Sequence, residues 1–146
     1  MMNFLGDQRL DTGSKSMIGI FAPHAQIFLL SLAVVTTAAF AIPILFAPLR
    51  WAKLMLWPIP EQTDLAVYFG RCLGAFALIM EIFLLRAGIT GEAIGFVFEL
   101  MMSVWFFMVV IHVIGAIQRV QPITETLEIV FWVLLILLTA AFWPVA

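Results

Sequence analysis

Residues 64–86, DLAVYFGRCLGAFALIMEIFLLR, form an apolar stretch long enough to cross a bilayer, yet Arg71 and Glu81 lie well inside it and Asp64 and Arg86 at its ends. Its eleven Leu, Ile, Val and Phe residues favour insertion by roughly 3 to 7 kcal/mol, and a buried Arg and a buried Glu oppose it by roughly 5 to 7 kcal/mol. Such a span is marginal by itself. It needs protein around its charges, and whatever surrounds them is the first place to look for a functional site.

The 146-residue chain is 64% hydrophobic and only 11% charged, which makes it an all-α integral membrane protein rather than a soluble domain. Four spans are expected, at about 25–49, 64–86, 92–117 and 125–143. They follow an N-terminal tail over 1–24 and form one four-helix bundle with short loops and one interfacial segment. Seven basic and nine acidic residues are scattered singly, which excludes a nucleic-acid face and a polybasic lipid-binding cluster. Cys72 is the only cysteine; it suits close packing better than ligation or thiol chemistry. Nucleophile triads, phosphate-binding glycine loops and zinc motifs are absent, so nothing points to catalytic activity of the chain's own.

Arg9, Lys15, the apolar run after them and Ala39-Phe40-Ala41 mimic a signal peptide with a small-residue cleavage site, but the run is read as a retained first span. His24, just before it, is expected to be solvated. Pro43 and Pro48 kink or stop this span, and Ala33, Thr37 and Ala41 give it a small-residue packing stripe. Residues 50–63, RWAKLMLWPIPEQT, are interfacial: Trp51 and Trp57 are aromatic anchors, and Arg50 and Lys53 reach headgroups. The sharper alternative is that this segment docks on a partner subunit. Thr63 or Asp64 is placed to cap the second helix.

Within that helix Gly70, Gly74 and Ala77 form a row that permits close approach of another helix. A turn at Ala87–Gly91 then brings the third span back antiparallel and adjacent. Glu125 and Glu128 open the fourth span, where acids suit a helix N-terminus. Its Phe131-Trp132 and Phe142-Trp143 pairs read as belt residues and lipid-facing bulk. Basic residues divide evenly between the two sides, so orientation stays open, but four spans put both termini on one side.

If spans two and three form a hairpin, Glu81 and Glu99 each lie roughly 8 Å from mid-helix toward the short turn. Arg71 and His112 lie roughly 7 and 12 Å toward the other face. Two carboxyls at one depth in low dielectric would share a proton, which makes Glu81 and Glu99 relay candidates. The plainer alternative is that each is satisfied by a carbonyl, by Ser103 or by a basic group of another chain. Arg71 has a local explanation, snorkelling toward Asp64 with Tyr68 between them. His112 could ligate a haem iron or a chlorophyll-type magnesium, although the chain offers no second intramembrane histidine. Glu81, Glu99 and His112 face too many directions to share an ion, so no metal-ligand set is expected.

The stretch FAPLRWAKLMLWPIPEQTDLAVYFGRCLGAFALI resembles small bacterial four-span proteins of the DoxX-like kind. The likeness covers about a quarter of the chain and centres on an aromatic-Gly-Arg-x-x-Gly pattern, here Phe69-Gly70-Arg71-Cys72-Leu73-Gly74. It implies residence in the bacterial inner membrane and an accessory or quinone-linked role beside a membrane redox complex. Limited charge, short loops and the lack of a soluble catalytic domain make the leading expectation an accessory or assembly subunit that contacts lipids, pigments or other integral membrane subunits and no nucleic acid. A small proton-coupled transporter or quinone-linked redox component using Glu81, Glu99 and Arg71 is the first alternative, and a membrane enzyme acting on a lipid or quinone the second.

Overall fold

The computed structural model describes residues 18–145; of the tail expected over 1–24, residues 1–17 lie outside them, and Ala22–His24 already belong to the first span. Four long apolar helices cross the bundle, and no strand occurs among the described residues. The first span, Ala22–Phe46, is composite: α1 (Ala25–Thr36), a π-helical turn (Thr37–Ala41) and α2 (Ile42–Phe46). The interfacial helix α3 (Pro48–Leu54) follows, then α4 (Asp64–Thr90), α5 (Ile94–Gln118) and α6 (Ile123–Ala141). The protein is thus an all-α integral membrane four-helix bundle, as composition and span lengths require. Its outer surface carries Phe46, Phe76, Phe107 and Ile117, all more than half exposed, which hydrocarbon would cover at no cost.

The π turn sits where the sequence weakens the helix. Pro43 has no N–H to offer the carbonyl four residues back. That carbonyl, on Ala39, instead accepts the indole N–H of Trp51 at 3.2 Å. Trp51 therefore anchors α3 to the first span from within the protein, in addition to any membrane contact. Within the turn the ladder widens, and the Ile42 N–H donates to the Thr37 carbonyl.

Helix α4 is longer than expected, because the segment read as a turn, Ala87–Gly91, is helical through Thr90 and stops only at Gly91 with φ +73°. Gly88 explains the extension: a Cβ there would meet Leu30 and the Gln26 carbonyl, so α4 continues in close contact with α1. Nearer the other end, Gly70 lies against Pro48 and Gly74 against the Leu45 backbone. The glycine row thus faces the first span and not α5. As a result α1 packs chiefly on α4, and α5 chiefly on α6. Helices α4 and α5, expected to be close neighbours because their connection is short, are the weaker pair. The helix cap also differs from expectation: Thr63 precedes α4 without a side-chain cap bond, and its backbone carbonyl accepts from Val67 at 2.8 Å.

The core runs between the two pairs through Leu29, Ala33, Leu84, Phe98, Met101, Trp105, Trp132 and Leu135. Trp132 and Trp143, expected among lipid, are inside it or packed on it. The first and last described segments meet at one face, where Gly19 and Phe21 donate backbone hydrogen bonds to Ala140 and Ala141 at 2.9 and 2.8 Å.

Candidate metal centre

At the opposite face, three ligating side chains converge between α5 and α6. His112 lies six residues before the end of α5, about 9 Å inward by helical rise, and is 4% exposed. Its Nε2 is 3.1 Å from Glu125 Oε2 and 3.4 Å from Glu128 Oε2. The register comes from the turn between the helices. Gln121 folds over Gly115, where a Cβ would collide with its carboxamide. The same amide donates to the His112 carbonyl at 3.0 Å and to Thr126 Oγ1 at 3.1 Å. Glu125 and Glu128, three apart on α6, then share the face turned toward His112.

A surrounding shell orients these groups. His112 Nδ1 is 2.7 Å from the Met108 carbonyl, which accepts the ring N–H and leaves Nε2 directed at the carboxylates. The indole N–H of Trp57, on the interfacial segment, donates to Glu125 Oε1 at 2.7 Å. The Thr124 hydroxyl donates to the Met55 carbonyl, which ties that segment to the start of α6. Trp132 stands against the imidazole with ring centroids 5.9 Å apart.

No family model, curated protein or solved structure matches the chain. The chemistry of the donors must therefore carry the interpretation. Donors each about 2.1 Å from one ion stand roughly 3.0 to 3.4 Å apart in octahedral or tetrahedral arrangements. The two measured separations from His112 Nε2 fall in that range, and all three donor atoms lie within 4.8 Å of one another. One imidazole nitrogen and two carboxylates suit a borderline or hard divalent ion such as Zn²⁺, Fe²⁺ or Mn²⁺, with positions left for a substrate.

The residues singled out from sequence distribute differently. Glu81 is buried on α4 and bonds Thr36 on α1, whereas Glu99 is exposed on α5. They face different surroundings because the glycine row turns α4 toward the first span, so they do not form a carboxyl pair. Ser103 donates to the Glu99 backbone carbonyl at 2.9 Å, not to its carboxyl. Asp64, Tyr68 and Arg71 are all exposed, and no ion pair among the described residues joins them. Lys53 is exposed at the interface, as a headgroup contact requires. His112, the possible haem or chlorophyll ligand, turns its Nε2 toward Glu125 and Glu128 and stands 5.9 Å from the Trp132 ring. Glu125 and Glu128, read from sequence only as dipole partners, are the residues that were missed. Their three-residue spacing at the start of α6 was the available signal.

Proposed function

We propose that this protein is a small integral membrane metalloprotein that holds one divalent cation near one membrane face and acts on a membrane-dissolved substrate of quinone or lipid type. The convergence of His112, Glu125 and Glu128 carries this reading. An apolar cleft of about 360 Å³, joined to the centre through Trp57, supports the substrate class. Ile44, Leu49, Ile59 and Leu73 line it, and so do Gly70, from the DoxX-like pattern, and Trp57, whose indole holds Glu125. A substrate in the cleft would thus touch the residue that orients a metal ligand. Such a role suits the bacterial inner membrane, where quinones and lipid intermediates are dissolved.

Elemental analysis of protein purified in mild detergent tests the reading, with about one Zn, Fe or Mn per chain expected. Wild-type protein that takes up none of these ions at micromolar concentration would sink it. Trp57→Phe keeps the ring but removes the donor to Glu125, and should weaken the ion's affinity about 10- to 100-fold, the usual effect of losing an outer hydrogen bond.

A second reading, an accessory subunit of a larger complex, rests on Arg71 and Glu99. Both are exposed within spans, Arg71 about 10 Å from the start of α4 and Glu99 about 7 Å from the start of α5. Partner helices of complementary charge would remove the cost of placing them against lipid. Native mass spectrometry from mild detergent should then show stable heteromeric partners, whose number falls with Arg71→Ala and Glu99→Gln. Only monomers or homo-oligomers would leave the accessory role without support.

A further inference from the structure

The metal centre leaves unexplained a buried acid that has no ion pair among the described residues. Glu81 lies four residues past Ala77, the middle of α4, hence about 6 Å from mid-helix. It is 8% exposed. The ion pairs of the described residues join Arg86 to Glu92 and His112 to Glu125 and Glu128, and none reaches Glu81. Neither α1, the π turn nor α2 carries an ionisable residue, while Glu99 and His112 on α5 and Arg50 and Lys53 on α3 make no bond to it.

Counting hydrogens resolves its state. Thr36 Oγ1 is 2.6 Å from Glu81 Oε1 and 2.7 Å from the Leu32 carbonyl oxygen. The hydroxyl has a single hydrogen, and a carbonyl only accepts. Donation from Thr36 to Leu32, the usual bond of a threonine inside a helix, leaves the Glu81 contact without a hydrogen unless Glu81 supplies one. Donation from Thr36 to Glu81 would leave two bare oxygens facing each other at 2.7 Å. Only a carboxylic acid at Glu81 gives each contact its own hydrogen. The chain of donation then runs from Glu81 to Thr36 to Leu32.

We propose that Glu81 and Thr36 form a proton-holding site in the middle of the membrane, separate from the metal centre, in which Glu81 Oε1 carries the proton and donates it to the Thr36 hydroxyl. The second oxygen, Oε2, is buried without a partner, as is the Thr37 hydroxyl at the start of the π turn. The free Oε2 leaves hydrogen-bonding capacity through which the proton can be delivered or withdrawn. The π turn fits this role, since such widened turns gather at functional sites.

Infrared spectroscopy of the full chain in lipid tests the proposal. The wild-type minus Glu81→Gln difference spectrum at neutral pH should contain a carboxylic-acid carbonyl band, shifted in Thr36→Val, where the acceptor hydroxyl is lost. Ionised-carboxylate bands in their place would overturn it. Labelling gives a second readout on the unmutated protein. A membrane-soluble carbodiimide adds whole across a protonated carboxyl, the acid's hydrogen passing to a reagent nitrogen and its oxygen to the central carbon, with no leaving group. Peptide mass spectrometry should place that adduct on Glu81, whereas a water-soluble carbodiimide should reach Glu61 and Glu92 and spare Glu81. Glu81 left unmodified by the membrane-soluble reagent would also count against the site.

Discussion

Gly74→Leu is expected to prevent the bundle from forming, and Gly74→Ala to lower its stability by about 1 to 3 kcal/mol, the range for forcing atoms into a filled interior. The obstacle is backbone. A Cβ on residue 74 would meet the Leu45 amide nitrogen and lie 2.6 Å from Leu45 Cα, neither of which can rotate away as a side chain could. The first span would have to retreat along the same line where Gly70 meets Pro48, which would open the α2 and α4 contact over its whole length. Thermal unfolding in detergent, followed by circular dichroism, reads the effect. Gly95→Ala is the matched control: nothing lies within 4 Å of its added methyl, and alanine is the better helix former. Its midpoint should be unchanged or slightly raised. Equal losses at both positions would mean that close packing at Gly74 is not what holds these helices together.

The second large effect is expected at His112. His112→Ala removes the only nitrogen donor of the cluster and the group that stands between two carboxylates whose side chains are 13% and 14% exposed. Breaking a buried charged network by removing one partner costs about 3 to 5 kcal/mol. The variant should therefore melt lower even without metal. Loss of stability alone would also follow if the histidine merely paired with the two acids, so the deciding measurement is metal-dependent stabilisation. An ion at a hundred times its dissociation constant stabilises the folded state by about 2.7 kcal/mol. Added Zn²⁺ or Mn²⁺ should raise the wild-type midpoint accordingly and leave His112→Ala unmoved. A midpoint insensitive to metal in both proteins would reduce the cluster to a structural ion pair.

Much of the architecture was legible in residue order. Runs of apolar residues of bilayer length with few charges can satisfy their backbone only as helices, and the four observed spans follow from that. The span edges moved by a few residues where local chemistry competed. Helix α4 ran through the expected turn because Gly88 could nest against α1, and Trp51 repaired the gap that Pro43 opened. The glycine row was also readable as a contact surface, but not which helix it would meet. That choice separated Glu81 from Glu99, because a close fit of α4 on the first span turns Glu81 toward Thr36. The site was less legible still. His112 stood out as a lone intramembrane histidine, yet Glu125 and Glu128 had an adequate local explanation as acids at a helix start. Trp57 is more than fifty residues away in sequence from each of the three side chains of the centre.

By itself, then, the sequence determined that this is a helical membrane protein with four spans, an interfacial segment and a few intramembrane polar groups that require partners. Helical periodicity and the burial demands of the backbone are local, and residue order carries them fully. Tertiary structure alone decided the partners: Glu81 with Thr36, His112 with two glutamates, and Trp57 with one of those. Depth along a helix can be counted from its rise, but facing depends on which helices approach closely. Here that was decided by missing side chains at Gly70, Gly74 and Gly88, and by Gln121 folding over Gly115.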